Sequence, residues 1–193
     1  MKGVLLNMKR IRRYSLLVTI LSVITIFGAF TACSKSQPQP QSEKTNPYNG
    51  RTLNIGVIGE PPNVREKQVT FVKIKFSDLE KNLFSSQYDT IFITKNNLSE
   101  ASQGKYASIY KKSKIPFFFI QTEKSYVPFV MEDLTYDNAP TVTDQTYATG
   151  ILYTGAKLNT WGYGLYNDIE NQANIKDVYS RIFETILKNA TSK

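Results

Sequence analysis

The residues that most often run chemistry in proteins are scarce in this chain. It has no histidine and a single cysteine, Cys33, in 193 residues. Without histidine there is no Ser-His-Asp or Cys-His arrangement, and no imidazole to hold a metal or move a proton near neutral pH. A lone cysteine forms neither a disulfide within the chain nor a cysteine-rich metal site. What remains is oxygen chemistry. Glu132 and Asp133 are adjacent, but side chains next to one another along an extended chain point apart, so their spacing alone does not make an acid–base pair. Asp133, Asp137 and Asp144 cluster in sequence, yet they lack the alternating spacing and central glycine of a calcium loop. Gly56 and Gly59 are followed by Pro61 and Pro62 rather than by Gly-Lys-Ser/Thr, and proline offers no N–H to a phosphate. No catalytic residue, cofactor or metal site is predicted, and the candidate functional residues are binding groups.

Two stretches gather such groups. Lys124 to Asp144 holds Tyr126, Phe129, Glu132, Asp133 and Tyr136 together with Pro128 and Pro140, with no clear periodicity. Long irregular segments in compact domains are commonly functional. The second stretch is Thr160 to Tyr166, where Trp161, Tyr163 and Leu165 alternate with Gly162, Gly164 and Tyr166 and so occupy opposite faces of a strand. Glycine beside aromatics lets another backbone or a flat ligand come close. Aromatic faces stack on sugar rings or anchor a partner protein. The candidate binding set is therefore Tyr126, Phe129, Glu132, Asp133, Tyr136, Trp161 and Tyr163. Core packing is the competing reading for the aromatics, and a lid over an edge or core face is the competing reading for the long segment.

Regular elements must position these groups. Leu53–Ile58 reads as a buried strand closed by a turn at Gly59 to Pro62. Val69–Phe76 alternates at period two, and Ser77 to Glu80 offers a capping box with Leu79 and Leu83 on one helical face. Thr90–Thr94 is a third strand. A second cap at Asn97 opens a ragged stripe through Leu98, Ala101, Tyr106, Ile109 and Tyr110, ending near Lys111, Lys112 and Lys114. Gly104 weakens the middle of that helix by about 1 kcal/mol relative to alanine. Ile115–Ile120 reads as a central strand covered on both faces, with Pro116 at its start.

Strand and helix in alternation predict an open sheet with strands two to four parallel and joined by right-handed crossovers. The short connection 59–68 leaves the first pair open between parallel and antiparallel. Ligands approach such sheets at the carboxyl ends of the strands, where the segment after strand four begins. Tyr147–Tyr153 and Thr160–Tyr166 predict a β-hairpin turning over Gly155 to Asn159. Asn174 caps a last helix whose Ile175, Val178, Tyr179, Ile182, Phe183, Ile186 and Leu187 form one stripe. The predicted fold class is α/β: a single-domain sandwich over 51–193, with a mostly parallel central sheet, a C-terminal β-hairpin and a final amphipathic helix.

The first 32 residues follow another logic. Lys2, Lys9, Arg10, Arg12 and Arg13 precede an apolar run from Tyr14 to Phe30, and small Ala32 stands before Cys33. That order is the order of a secretory signal. The run is about seventeen residues, so a membrane-spanning helix, which needs roughly twenty, is the competing reading. Phe30-Thr31-Ala32-Cys33 resembles a bacterial lipobox, with Phe30 where that family usually has leucine. The resemblance implies cleavage before Cys33 and a diacylglyceryl thioether on its sulfur, which anchors the protein at the extracytoplasmic face of the cell membrane. Ser34 after the anchor and a lysine-rich, cysteine-poor body are similar to small lipoproteins of low-GC Gram-positive bacteria.

The chain carries a net +8. Five of those charges lie in the leader, so the rest carries +3 and makes nucleic acid an unexpected partner. Ser34 to Gly50, with prolines at 38, 40 and 47 and no aliphatic residue, reads as a disordered tether. At about 3.3 Å per residue it reaches roughly 55 Å when fully extended.

The expected protein is a non-enzymatic accessory or interaction lipoprotein of the cell envelope. Its partners are the membrane, through Cys33, and an envelope protein or cell-wall polymer met by the aromatic and acidic segments. The alternative is a small-ligand binder with a strand-end cleft near Gly59, residues 121–144 and Trp161. Leu53-Asn54-Ile55-Gly56-Val57-Ile58 resembles the first strand of extracytoplasmic solute-binding lobes, which implies solute binding; those proteins close two lobes over a cleft, and the length here makes one. A cleft lined by Trp161 and Tyr163 would favour the ligand, a flat aromatic patch the partner.

Overall fold

Apolar runs too short for helices and bounded by turn residues become strands, and six of them share one sheet. The structure is a computed structural model that describes residues 46–81, 84–141 and 146–189, all within a compact unit spanning Ser42–Lys193. The strands are β1 (Leu53–Ile58), β2 (Val69–Lys73), β3 (Thr90–Ile93), β4 (Phe117–Ile120), β5 (Thr146–Thr154) and β6 (Lys157–Gly164). The helices are α1 (Phe76–Glu80), α2 (Phe84–Gln87), α3 (Leu98–Ala101), α4 (Gly104–Lys112), α5 (Val127–Val130) and α6 (Gln172–Asn189). The sheet order is β2-β1-β3-β4-β5-β6. The first four strands run parallel, and β5 and β6 are antiparallel additions. The α/β class, the mostly parallel sheet, the hairpin and the final helix are as the sequence predicts.

The order settles the open pairing. β1 and β2 are parallel, with Leu53 opposite Val69. β2 therefore neighbours β1 rather than β3, and the crossover from β2 to β3 passes over β1. Burial explains the choice. Every position of β1 except Asn54 is buried, as a strand with neighbours on both sides requires. In β2 only Val69 is buried, which suits an edge.

Alternation within the apolar runs splits the core between the two faces of the sheet. On one face Phe92 and Phe118 meet α6, with the Phe92 ring stacked 6.4 Å from that of Phe183. On the other, Ile91, Ile93, Phe117 and Phe119 pack against Leu79, Tyr106 and Tyr110 of the shorter helices. The predicted α6 stripe holds: Val178, Tyr179, Ile182, Phe183 and Ile186 are buried, and Ile175 and Leu187 are half-buried at its ends. Each such side chain contributes about 1.5–3 kcal/mol of burial.

Several boundaries differ from the sequence reading. The cap of α6 is Asn171, whose Oδ1 accepts the Asn174 N–H at 2.9 Å; Asn174 instead donates to the carbonyls of Tyr166 and Ile169 at 3.1 and 2.8 Å. β2 stops at Lys73 because Phe76 turns into the core as the first residue of α1. Asp78, not Glu80, reaches back to the Lys75 N–H at 2.9 Å, and Ser77 lies inside the helix. Leu83 falls outside the described residues.

The helix expected from Asn97 to Lys112 is broken at Ser102 and Gln103 into α3 and α4. Gly104 opens α4 after Gln103 in extended conformation, and a Cβ there would lie 2.5 Å from the Glu132 carbonyl oxygen, so the close approach of that loop requires glycine. The hairpin turns over Gly155 and Ala156, with Thr154 opposite Lys157. Gly155 supplies a φ of +63° at the first turn position, the requirement of a tight II′-like turn. Finally, Tyr48 belongs to the body. It is 2% exposed, packs edge-on against Phe183, and donates its N–H to Glu66 at 3.2 Å while its carbonyl accepts from Gln68 at 2.8 Å.

Candidate functional site

In a parallel sheet a crevice forms where neighbouring strands send their chains to opposite sides. β1 leads to β2 and β3 leads to β4, on opposite sides of the β1/β3 pair. The loops Gly59–Asn63 and Thr94–Asn97 part at that point and open a cleft of about 610 Å³, whose far wall is Gln121, Tyr147 and the start of α6. Beyond Lys95, Gln121, Tyr147 and Glu170 it continues into a space of about 360 Å³ lined by Thr122, Glu123 and Thr141. These volumes lie in the range of small-ligand pockets, about 300–1,000 Å³.

Unusual backbone holds the walls. Gly59 ends β1 at φ +110°, and a Cβ on it would come 2.0 Å from Thr94 Oγ1. Gln121 ends β4 at φ +57°, while Asn167 and Asp168 sit at φ +49° and +56° in the turn before α6. A side-chain-bearing residue in this region costs about 1–3 kcal/mol, and such positions cluster at ligand sites. The Asn174 amide, 2% exposed, clasps the turn before α6 through its two carbonyl contacts.

The charges are mostly answered within the protein. Lys73 Nζ donates to both oxygens of Glu60 at 2.7 Å. Lys95 and Glu123 face each other at 3.7 Å across the loops after β3 and β4. Glu170 forms no ion pair among the described residues. Tyr147 and Tyr179 contact edge to face at 6.3 Å. Burial raises both phenols above their ordinary value. The Tyr179 hydroxyl offsets part of this at Tyr147, and the Glu170 charge adds to it. Both phenols are therefore neutral hydroxyls at physiological pH. The side-chain amides of Asn63, Asn96, Gln121 and Gln172 line the cleft and make no hydrogen bond within the protein among the described residues.

The seven residues singled out in the sequence do not meet. Trp161 and Tyr163 pack on the α6 face of the sheet, whereas Tyr126, Phe129 and Tyr136 pack on the opposite face. Phe129 is 1% exposed and stacks on Phe119 with ring centroids 3.5 Å apart. Tyr163 is buried; its hydroxyl donates to Thr185 at 2.7 Å. Trp161 is half-buried over Phe118. Tyr136 pins its own loop: its hydroxyl accepts the Glu123 N–H at 3.0 Å and its N–H donates to Ser102 Oγ at 2.7 Å. Tyr126 is half-buried against the core, and Glu132 and Asp133 are exposed.

Trp161 and Tyr163 therefore line no part of the cleft, and the flat aromatic patch is not formed either. The long segment between β4 and β5 contains α5 and is closed on itself by Lys124, whose ammonium donates to the Ala139 carbonyl at 2.6 Å. Cys33 and Asp144 lie outside the described residues.

Sequence reasoning found Gly59 and the neighbourhood of residue 121 but missed Thr94, Asn96, Tyr147 and Glu170. The residue just after each of β1, β3 and β4 carries the missing signal, since Gly59, Thr94 and Gln121 hold those places. Among the described residues no helix is long and apolar enough to cross a membrane, and no group of three or more acidic, histidine or cysteine side chains is placed to hold a metal. No protein-family model, curated protein or solved structure matches the chain.

Proposed function

We propose that this chain is a lipid-anchored protein of the cell envelope whose α/β body binds a small ligand in the strand-end cleft. One observation carries the choice of ligand over protein partner: the cleft stands at the divergence of β1 and β3, is sized for a small molecule, and presents side-chain amides that no hydrogen bond engages among the described residues. The partner reading relied on the aromatic and acidic segments. Phe129 and Tyr163 are buried and reach no partner unless the body opens, and of the remaining aromatics Trp161 packs on one face of the sheet and Tyr126 and Tyr136 on the other.

The test is native mass spectrometry of the chain released gently from membranes, followed by small-molecule identification. A bound species is expected. Asn96, exposed on the cleft wall, is then changed to tryptophan to fill the space. Loss of the species with unchanged melting supports the reading; retention moves the ligand elsewhere and ends it. Anchoring is tested separately. Cys33→Ala should abolish incorporation of labelled fatty acid and release the protein from membranes, since two acyl chains together give stable attachment. Persistent labelling overturns the lipobox reading.

A further inference from the structure

We infer that the strand-end cleft takes an uncharged, polyhydroxylated ligand of the saccharide type. This rests on the cleft being the ligand site and adds the chemistry of what occupies it. The unengaged wall groups are dominated by primary amides: Asn63, Asn96, Gln121 and Gln172. Each offers two donors and an acceptor, and a sugar diol likewise presents a donor and an acceptor on adjacent carbons. The Tyr147 and Tyr179 phenols, neutral and in edge-to-face contact on the cleft wall, add hydroxyls of the same dual character.

Charge excludes the competing classes. Among the described residues Lys73 answers Glu60 and Lys95 answers Glu123, which leaves the lining one net negative charge at Glu170, so a carboxylate or phosphate meets net repulsion. Lys95, the one cation able to attract an anion, already faces Glu123 at 3.7 Å. A polycation fares little better. Glu60 is held bidentately by Lys73 at 2.7 Å, so Glu170 is the only lining carboxylate free of an ion pair among the described residues. A single carboxylate among amides is a hydrogen-bond acceptor for a diol rather than a polyamine site. Pro61 and Pro62, half-buried in the wall, add apolar ring faces that suit the C–H side of a pyranose.

The experiment uses the full chain in detergent micelles, probed with a printed array of neutral mono- to tetrasaccharides, then by calorimetry with the best array member beside glutamate, inorganic phosphate and spermidine. At least one neutral saccharide should bind with a dissociation constant below about 1 mM, and the three charged probes at least tenfold more weakly. The double change Asn96→Ala with Gln172→Ala, both at exposed positions, should weaken the saccharide tenfold or more without moving the melting temperature.

Binding of glutamate, phosphate or spermidine in preference to every saccharide overturns the ligand class while leaving the cleft as the site. Saccharide binding unaffected by the double change or by Asn96→Trp overturns the site. No binding by any probe, with a co-purifying non-saccharide that Asn96→Trp expels, again refutes the class alone; no binding and no co-purifying species sinks both. If free saccharides and purified wall polymer compete equally, the cleft reads the sugar unit; competition by polymer alone assigns it to wall attachment.

Discussion

Adding one methyl group at Gly59 puts a number on the geometry at the divergence of β1 and β3. The residue sits at φ +110°, where a side chain costs about 1–3 kcal/mol on backbone grounds. In Gly59→Ala the new Cβ would also lie 2.0 Å from Thr94 Oγ1 and 2.6 Å from Asn97 Nδ2. Both side chains must swing away, and Thr94 then gives up its 3.3 Å contact with the Ile58 carbonyl, worth about 1 kcal/mol. The combined penalty is about 2–4 kcal/mol. For a body of this size that lowers the melting temperature by roughly 5–15 °C.

Gly155→Ala is the control: φ is +63° there, but nothing lies within 4 Å of the added carbon, so the cost reduces to the backbone component, about 1–2 kcal/mol. Urea unfolding followed by far-ultraviolet circular dichroism measures both. A second control uses Thr94→Ala, in whose background the Gly59→Ala penalty should shrink by about 1 kcal/mol. If Gly59→Ala costs no more than Gly155→Ala, or if removing the Thr94 hydroxyl leaves the penalty whole, the crowding argument is wrong.

Two further outcomes follow from the core. Ile182 is fully buried on the α6 stripe, so Ile182→Asp, which strands a carboxylate there, should abolish the cooperative melt; a transition within a few degrees of the parent would refute the packing of α6. The second concerns alkaline pH. Tyr110, Tyr147, Tyr163 and Tyr179 are all held above the ordinary phenol value of 10.0, chiefly by burial. Each keeps its proton in the fold after the unfolded chain has lost its own. That stability is fully present below pH 10 and is lost above it, at about 1.4 kcal/mol per pH unit for each phenol that stays protonated. With no histidine in the chain, the urea midpoint should be flat between about pH 6 and 8 and fall steeply beyond about pH 10. A steep change in the neutral range would point to a different titrating group.

How much of this was legible in the sequence depends on the range of the forces involved. The stripe of α6 was, because Ile175 to Leu187 must share a face of a single helix whatever it packs against. The strands were, because runs such as Phe117–Ile120 are apolar at every position and flanked by breakers. Strand order was not: β2 beside β1 follows from which strand tolerates an edge, a property of the whole sheet. Asn97 does stand at the N-cap of α3, but Ser77 and Asn174 miss their helix starts by two and three residues, since all three are competent cap types and only the tertiary path decides among neighbours. The aromatics misled for a related reason. Tyr163 and Phe129 look like binding groups until the sheet places one on each face, each inside a core. The cleft groups are amides and threonines too common to stand out, and they acquire meaning only from their shared position at strand ends.

Tyr48 and the cleft sit at opposite poles of β1. Tyr48 is clasped by Glu66 and Gln68 beside the start of the strand, and the cleft begins at Gly59 just past its end, about 20 Å away for six extended residues. The body thus has a handle and a mouth that do not interfere. A pull on the chain ahead of Tyr48 therefore enters the body at the pole away from the cleft. Under the proposed anchoring, lengthening or shortening the preceding segment should change the distance at which a ligand is met and leave its affinity alone, two quantities that selection can then adjust independently.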